Sequence, residues 1–208
     1  MQQSSPSQVA DGLRDEVAEH RELAYDADPQ FANRWSPRAM TGESLEEEEF
    51  LPLFEAARWA PSAFNNQHWR FVYATREDEE FETFVDLLNE ANQAWATEAG
   101  VLVAIFSKTT FEHNGEPAAT RSFDTGAAFQ NLALEGSRRG LAVHPVAGFD
   151  WGSAHEALGV PEEEFDVEAM VAIGERADSE TLPEDLRERE QPSDRKDFDE
   201  VVRRGSFE

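Results

Sequence analysis

The 208-residue chain contains no cysteine, which excludes disulfide bonds, thiolate metal sites and a cysteine nucleophile. Lysine occurs only at Lys108 and Lys196, and 18 basic against 44 acidic residues give a formal net charge of −26. Proteins that bind nucleic acids or anionic membrane surfaces rely on clusters of Lys and Arg. The composition therefore argues against both classes.

Long apolar runs are also lacking. The longest, Val101 to Phe106, is far too short to cross a bilayer, and the first eight residues (MQQSSPSQ) do not resemble a signal peptide. No glycine-rich dinucleotide fingerprint, phosphate-binding P-loop or nucleophile elbow is present, and the five histidines lack metal-ligand spacing. We therefore expect a cytoplasmic protein with no metal site.

The acidic residues are spread along the chain and do not form a tail. Such a surface repels itself at low ionic strength. Molar salt shortens the Debye length to about 3 Å and screens that repulsion. This pattern predicts a halophilic protein from a salt-rich cytoplasm, and the alternative is an ordinary acidic protein.

Hydrophobic periodicity divides the chain into a polar tail with a weak helix (1–27), a central domain (28–177) and a charged extension (178–208). Strands are predicted at 70–75, 101–107 and 168–174. Helices are predicted at 12–26, 78–89, 91–99, 120–139 and 151–158, with a further helix that Ser44 and Glu47 open as a capping box and Pro61 ends. The segment 141–149 is short and apolar.

The helix at 120–139 is apolar nearly all round in its middle, from Ala127 to Leu134. A helix of this kind is buried. Gly126 and Gly136 would let a neighbouring segment approach closely. The extension 178–208, in contrast, has little core of its own and is expected to cover another surface.

Two polar stretches carry the chemistry. The first is RWSPR, in which Arg34 and Arg38 lie four residues apart with Ser36 between them. Guanidinium groups are forked donors that suit a phosphate, so this pair could surround one anion. The alternative is a solvated loop with two surface ion pairs.

The second stretch runs from Ala60 to Trp69, between a predicted helix and a predicted strand. Asn65 and Gln67 carry amides that both donate and accept hydrogen bonds. Such groups suit a neutral heteroaromatic edge with alternating donors and acceptors. The alternative is an Asn/Gln-capped turn.

Together these stretches resemble the FMN-dependent nitroreductase family, in the branch that has RWSPR followed by ARWAPS and then N-x-Q-x-WRF. The resemblance continues in the same order through DTGAAFQNLAL (124–134), GLAVHPVAGF (140–149), AIG (172–174) and Arg195-Lys196. It covers roughly residues 30 to 202.

The resemblance implies an α+β homodimer with a mixed or antiparallel central sheet flanked by helices. The helix 120–139 would lie at the dimer interface, the C-terminal extension would cross to the partner, and both chains would build each FMN site.

The implied activity is ping-pong hydride transfer from NAD(P)H through flavin N5 to a nitroaromatic, quinone or related acceptor. The flavin carries this chemistry, so no catalytic acid or base is assigned. A flavin carrier or sensor without turnover is the alternative, and an acidic interaction domain without cofactor is a third.

The resemblance also assigns cofactor-binding residues in three groups. Phosphate and ribityl contacts fall on Arg34, Trp35, Ser36, Arg38 and Arg195; the loop from the partner subunit carries Pro61, Ser62, Ala63, Asn65 and Gln67; and the segment along the isoalloxazine is Pro145, Val146, Ala147 and Gly148. Three departures from the family pattern bear on substrate preference: His68 replaces the usual Pro, Ser193 replaces a Lys, and Ala147 replaces an acidic residue.

Overall fold

The computed structural model describes residues 12–206, which form two compact units. The terminal unit contains residues 12–35 and 191–206, and the sheet unit contains residues 36–190. The predicted polar tail over residues 1–11 lies outside the described residues. The helices along the described chain are α1 (Asp15–Ala18), α2 (Pro29–Asn33), α3 (Glu47–Arg58), α4 (Phe81–Leu87), α5 (Glu90–Ala96), α6 (Arg121–Arg138), α7 (Ala154–Leu158), α8 (Glu184–Arg187) and α9 (Phe198–Val201).

The sheet unit is built on four strands, β1 (Trp69–Thr75), β2 (Val101–Lys108), β3 (Leu141–Val146) and β4 (Phe165–Glu175), in the order β1-β2-β4-β3. Every neighbouring pair is antiparallel. The predicted α+β class is confirmed. Of the two predicted kinds of sheet, mixed and antiparallel, the structure has the antiparallel one. The apolar segment at 141–149, to which the sequence assigned no element, contains strand β3. Pro145 is tolerated because β3 is an edge strand.

Strand β2 divides the core into two layers, because successive side chains point to opposite faces of the sheet. Val103 and Ile105 join the cluster that contains Phe50 and Leu132, from α3 and α6. Leu102, Ala104 and Phe106 join the cluster that contains Phe84 and Trp95, from α4 and α5. Helices therefore cover both faces of the sheet, which explains why β2 is buried over almost its whole length.

Helix α3 begins at Glu47, and its N-cap is Glu46, whose backbone N–H donates to Glu49 Oε2 at 2.9 Å. The predicted Ser44–Glu47 capping box is therefore wrong in position. Pro52 lies inside α3, which runs unbroken to Arg58. The buried face formed by residues such as Phe50 stabilises the helix despite the hydrogen bond that proline removes.

Helix α6 confirms the prediction over 120–139 and shows two different faces. Ala128 and Leu132 are fully buried against the sheet, and a Cβ at Gly136 would clash with Val143 Cγ2. On the opposite face, Phe123 is 82% exposed and a Cβ at Gly126 would meet no described atom within 4 Å. One face of α6 therefore belongs to the core of this chain, and the other is exposed in the described residues.

The terminal unit contains only short helices. Helix α1 is much shorter than the helix predicted at 12–26, and α2 begins at Pro29 with Asp28 accepting a hydrogen bond from the Gln30 N–H at 2.9 Å. The rings of Tyr25 and Phe198 pack with centroids 4.6 Å apart. Within the described chain, no helix combines the length and apolar character that a membrane span requires.

Candidate functional site

A cluster of three arginines lies in the terminal unit. Burial and, secondarily, the positive charge of Arg195 lower the pKa of Arg34. Burial lowers the pKa of Arg21 to about 10, with contributions from the charges of Arg195 and Arg34, and Asp194 acts in the opposite direction. An anion bound here would relieve this repulsion, and guanidinium groups match the geometry of a phosphate.

Arg21 also orders the backbone around this cluster. Its Nη1 donates to Arg34 O at 2.9 Å and to Ala32 O, and its Nε donates to Ser193 O at 2.8 Å. Arg195 Nη1 donates to Ser193 Oγ at 3.0 Å. Arg21 therefore links the segments that carry Arg34 and Arg195, two of the three predicted phosphate arginines.

Trp35 has a different environment from the arginine beside it. It is buried, and its Nε1 donates to Glu16 Oε1 at 3.3 Å within the terminal unit. The sequence-predicted residues Arg34, Trp35 and Arg195 thus all belong to this unit, but only the two arginines form part of the basic cluster.

Ser36 and Arg38 lie at the start of the sheet unit, where Arg38 already has an anionic partner. Glu190 Oε1 accepts hydrogen bonds from the backbone N–H groups of Arg38 (2.6 Å) and Ala39 (2.9 Å). Arg38 Nη1 lies 3.8 Å from Glu190 Oε2, and the Glu190 side chain is only 4% exposed. The two arginines of the RWSPR segment therefore have different electrostatic surroundings.

His144 joins this segment to β3. Its Nδ1 lies 3.2 Å from Pro37 O, and its ring packs on Trp95 with centroids 4.6 Å apart. Burial and, secondarily, the charge of Arg38 lower the pKa of His144 to about 4. The ring is therefore neutral near pH 7. It links Pro37 of the RWSPR segment to the segment 140–149, which contains Pro145 to Gly148.

The end of β3 presents backbone rather than side chains. Pro145 is partly buried and Val146 is 4% exposed, with its side chain in the core, whereas Ala147 is exposed. Among the described residues, β3 pairs only with β4, so one side of its backbone is not used by the sheet. This arrangement suits contacts from main-chain N–H and C=O groups to a planar ligand.

Gly148 is held against the start of α5. Its carbonyl accepts hydrogen bonds from Asn89 N at 3.0 Å and from Asn92 Nδ2 at 2.9 Å. A Cβ on Gly148 would lie 2.5 Å from both amide nitrogens. Only glycine fits here without displacing these two asparagines, so the backbone after β3 has a defined path.

The loop between α3 and β1 separates outward-facing from inward-facing polar residues. Asn66 and His68 are buried at 9% and 0% exposure. The predicted cofactor residues of this loop are exposed or partly exposed: Pro61, Ser62, Ala63, Asn65 and Gln67. The amides of Asn65 and Gln67 thus remain accessible to a ligand or a partner subunit.

The backbone of this loop is unusual. Phe64, Asn65 and Gln67 have φ values of 54°, 53° and 50°, in the left-handed region that favours glycine. Such conformations cost about 1–3 kcal/mol each and cluster at functional sites. Local bonds support the loop, from Gln67 N to Ser62 Oγ at 3.0 Å and from Gln67 Nε2 to Asn65 O at 3.1 Å, together with backbone bonds from Asn65 N to Ser62 O and from Asn66 N to Ala63 O.

A large concavity of about 550 Å³ lies elsewhere, on the outer face of α3, where Leu51, Pro52 and Phe54 line it together with charged residues. It contains none of the predicted cofactor residues. Residues 12–206 contain no group of three or more His, Asp or Glu side chains that could hold a metal ion. The concavity is an open groove along a helix and better fits a protein surface than a small ligand.

Comparison with known proteins assigns the chain to a family. Residues 31–94 and 74–175 match the sequence model of the nitroreductase family. The chain belongs to the nitroreductase family. A crystal structure described as an oxidoreductase containing FMN is 44% identical, with a TM-score of 0.86, over 90% of this chain and 96% of the other.

Two curated relatives are more distant. An uncharacterized 15.4 kDa protein from the ask 5′ region of Mycolicibacterium smegmatis is 34% identical over 64% of this chain and 88% of its own length. Protein DrgA of Synechocystis is 28% identical over 64% of this chain and 76% of its own length. The predicted family is therefore confirmed.

Sequence reasoning missed several residues that organise these segments. Arg21 was not singled out, although each arginine is informative in so acidic a chain. Asn66 was overlooked beside the exposed amides, and His68 was noted only as a departure from the family pattern. Their roles depend on contacts with distant segments, which local sequence patterns do not show.

Proposed function

We propose that the protein is an FMN-dependent oxidoreductase that uses NAD(P)H to reduce a nitroaromatic, quinone or related acceptor. The observation that carries the proposal is the cluster of Arg21, Arg34 and Arg195 in a chain of net charge −26. Three neighbouring arginines repel one another, and a bound phosphate monoester would offset that repulsion. The 44% identical oxidoreductase contains FMN, which carries such a phosphate.

The residues present fit this cofactor. Arg34 and Arg195 would bind the FMN phosphate, with Arg21 as an addition to the set that the sequence predicted. Ser36 and Arg38 would contribute to the phosphate and ribityl contacts, but Arg38 less strongly because Glu190 already pairs with it. The segment Pro145–Gly148 would lie along the isoalloxazine and offer backbone groups to it.

The chemistry that bound FMN supplies is two-electron transfer, with hydride taken from NAD(P)H at N5 and then passed to the acceptor. The chain would bind the phosphate, orient the ring and leave one of its faces open. His144 is neutral near pH 7 and engaged with Pro37, so its role is to support the site rather than to move protons.

We further propose a homodimer in which the 61–67 loop of each chain reaches the flavin of the other. The exposed face of α6 supports this, since Phe123 is 82% exposed beside the open position at Gly126. Trp59 and Phe64 are also exposed, at 73% and 78%. Large apolar side chains exposed together are typical of an interface.

The test is binding followed by reduction, with riboflavin as a matched ligand that lacks the phosphate. FMN should bind at least 10-fold more tightly than riboflavin in molar KCl, measured by flavin fluorescence. NADH or NADPH should then bleach the bound flavin, and an acceptor such as a quinone should restore its colour. A coloured protein that neither nucleotide bleaches would be a flavin carrier, and a protein that binds no flavin would contradict the proposal entirely.

A further inference from the structure

The left-handed backbone of the 61–67 loop needs a source of support. Phe64 and Asn65 are exposed, so burial of their own side chains does not explain why the chain keeps this conformation. Non-glycine residues persist there only when the surrounding structure determines them. Backbone bonds from Asn65 N to Ser62 O and from Asn66 N to Ala63 O close the turn, and the bonds from Gln67 support its end, but none of these bonds holds the Ala63 N–H.

Asp124 supports the start of the loop from α6. Its carboxylate is 4% exposed, and Oδ2 accepts hydrogen bonds from Ala63 N at 3.0 Å and from Thr120 Oγ1 at 3.1 Å. The Ala63 N–H opens the short turn that contains the first left-handed residues. A buried carboxylate on a long helix thus fixes the point at which the loop changes direction.

His68, directly before β1, faces the same carboxylate. Its ring is fully buried, and Nε2 lies 3.8 Å from Asp124 Oδ2 without a hydrogen-bond partner of its own. Nδ1 lies 3.0 Å from Asn66 Nδ2 and 3.0 Å from Lys108 O. Burial of a polar ring and of a carboxylate costs free energy unless both are hydrogen-bonded or paired, so the contacts of this pair matter for stability.

Asn66 decides how this ring is oriented. Its Oδ1 accepts a hydrogen bond from Glu112 N at 2.8 Å, so its NH₂ group points toward the His68 ring. Nδ1 lies between the Asn66 amide and Lys108 O, and these two contacts fix the ring plane so that Nε2 faces Asp124 Oδ2 at 3.8 Å. The two ends of the 61–67 loop are therefore tied, through Asn66 and His68, to the carboxylate that holds Ala63.

We propose that Asp124 and His68 are positioning residues that hold the 61–67 loop in its left-handed conformation and so present Asn65 and Gln67 to the flavin. This inference rests on the proposed function, because it requires a flavin at this loop. His68 reaches toward Asp124 across the interior, with Nε2 3.8 Å from Asp124 Oδ2.

The test compares Asp124→Ala and His68→Ala with Glu135→Gln, a matched control on α6 whose carboxylate pairs with Arg138 and Arg139. FMN affinity and the midpoint potential of the bound flavin are measured in molar KCl. We expect Asp124→Ala to weaken FMN binding at least 10-fold and His68→Ala at least 3-fold, both with a shifted potential. Glu135→Gln should match the wild type in both.

The losses of FMN affinity in Asp124→Ala and His68→Ala should not add in the double variant, because both residues act on one loop. Asp124→Asn keeps a carbonyl acceptor for Ala63 and should recover most of the affinity. If Asp124→Ala does not fold, His68→Ala decides, and wild-type affinity and potential in that variant overturn the inference. Failure of the wild type itself to bind FMN would contradict the proposed function instead.

Discussion

The arginines of the RWSPR segment differ at the residue scale in a way that mutation can detect. Arg34 lies near the positive charge of Arg195, and Arg38 lies 3.8 Å from the Glu190 carboxylate, which would compete with a phosphate for it. Losing one charged hydrogen-bond donor to a phosphate costs about 1.5–3 kcal/mol, which is roughly 10- to 150-fold in affinity. Arg34→Ala should therefore weaken FMN binding by that factor, and Arg38→Ala by less.

Fluorescence quenching of FMN measures both dissociation constants. Arg58→Ala is the control, because Arg58 pairs with Glu55 on the exposed side of α3. Unchanged affinity in both the Arg34 and the Arg38 variants would remove the phosphate assignment.

His144 is a second single residue with a testable effect, because its titration makes the free energy of unfolding depend on pH. Its pKa in the folded protein is about 4, below the ordinary value of 6.5, so the unfolded chain binds more protons between these two values. The contribution of His144 to the free energy of unfolding is therefore present above pH 6.5. It is lost as the pH falls toward 4, by up to about 3 kcal/mol. His144→Gln should lack this contribution.

Urea unfolding of the wild type and of His144→Gln at pH 7 and at pH 4.5, in molar KCl, measures the difference. Taking the difference between the two proteins cancels the titration of the many surface carboxylates. We expect the advantage of the wild type to shrink at the lower pH. An advantage that stays constant would mean that His144 does not remain neutral in the folded protein.

Helix α6 is the element that links the core to the proposed dimer. Its buried face packs on this chain, while Phe123 projects from the other face. Phe123→Glu should give a folded monomer that retains less FMN, because both chains are proposed to build each site. Phe123→Leu keeps an apolar side chain and should remain dimeric. Light scattering in molar KCl distinguishes these states, and a wild-type protein that is a stable, flavin-loaded monomer would rule out the dimer.

The elements of the sheet unit were largely predictable because their signals are local. The continuous apolar run of β2 and the nearly all-round apolar middle of α6 each identify a buried element. Strand β3 was missed because a short apolar run has no periodicity that separates a strand from other buried segments, and only the sheet order shows that it lies at an edge. The contacts of Arg21 and Asp124 could not be predicted, since each joins segments far apart in the sequence.

The whole molecule carries 44 acidic and 18 basic residues, so like-charge repulsion opposes folding at low ionic strength. Molar salt reduces the Debye length to about 3 Å and weakens this repulsion, while the proposed short contacts between FMN and arginines would be screened less. Both the melting temperature and FMN retention should therefore rise from low to molar KCl, with NaCl similar. Thermal melts and gel filtration with flavin absorbance measure the two, and values that are flat or fall with salt would remove the support for a salt-rich cytoplasm.

Turnover of the bound flavin is the central claim for the molecule as a whole. Double-mixing stopped flow tests it most directly, with flavin absorbance followed as the anaerobic protein meets NADH or NADPH and then a nitroaromatic or quinone acceptor. The account predicts that at least one nucleotide bleaches the flavin and that the acceptor restores it, at a rate that does not depend on which nucleotide was used. Flavin that stays oxidised with both nucleotides, or that stays reduced with every acceptor, would contradict the account.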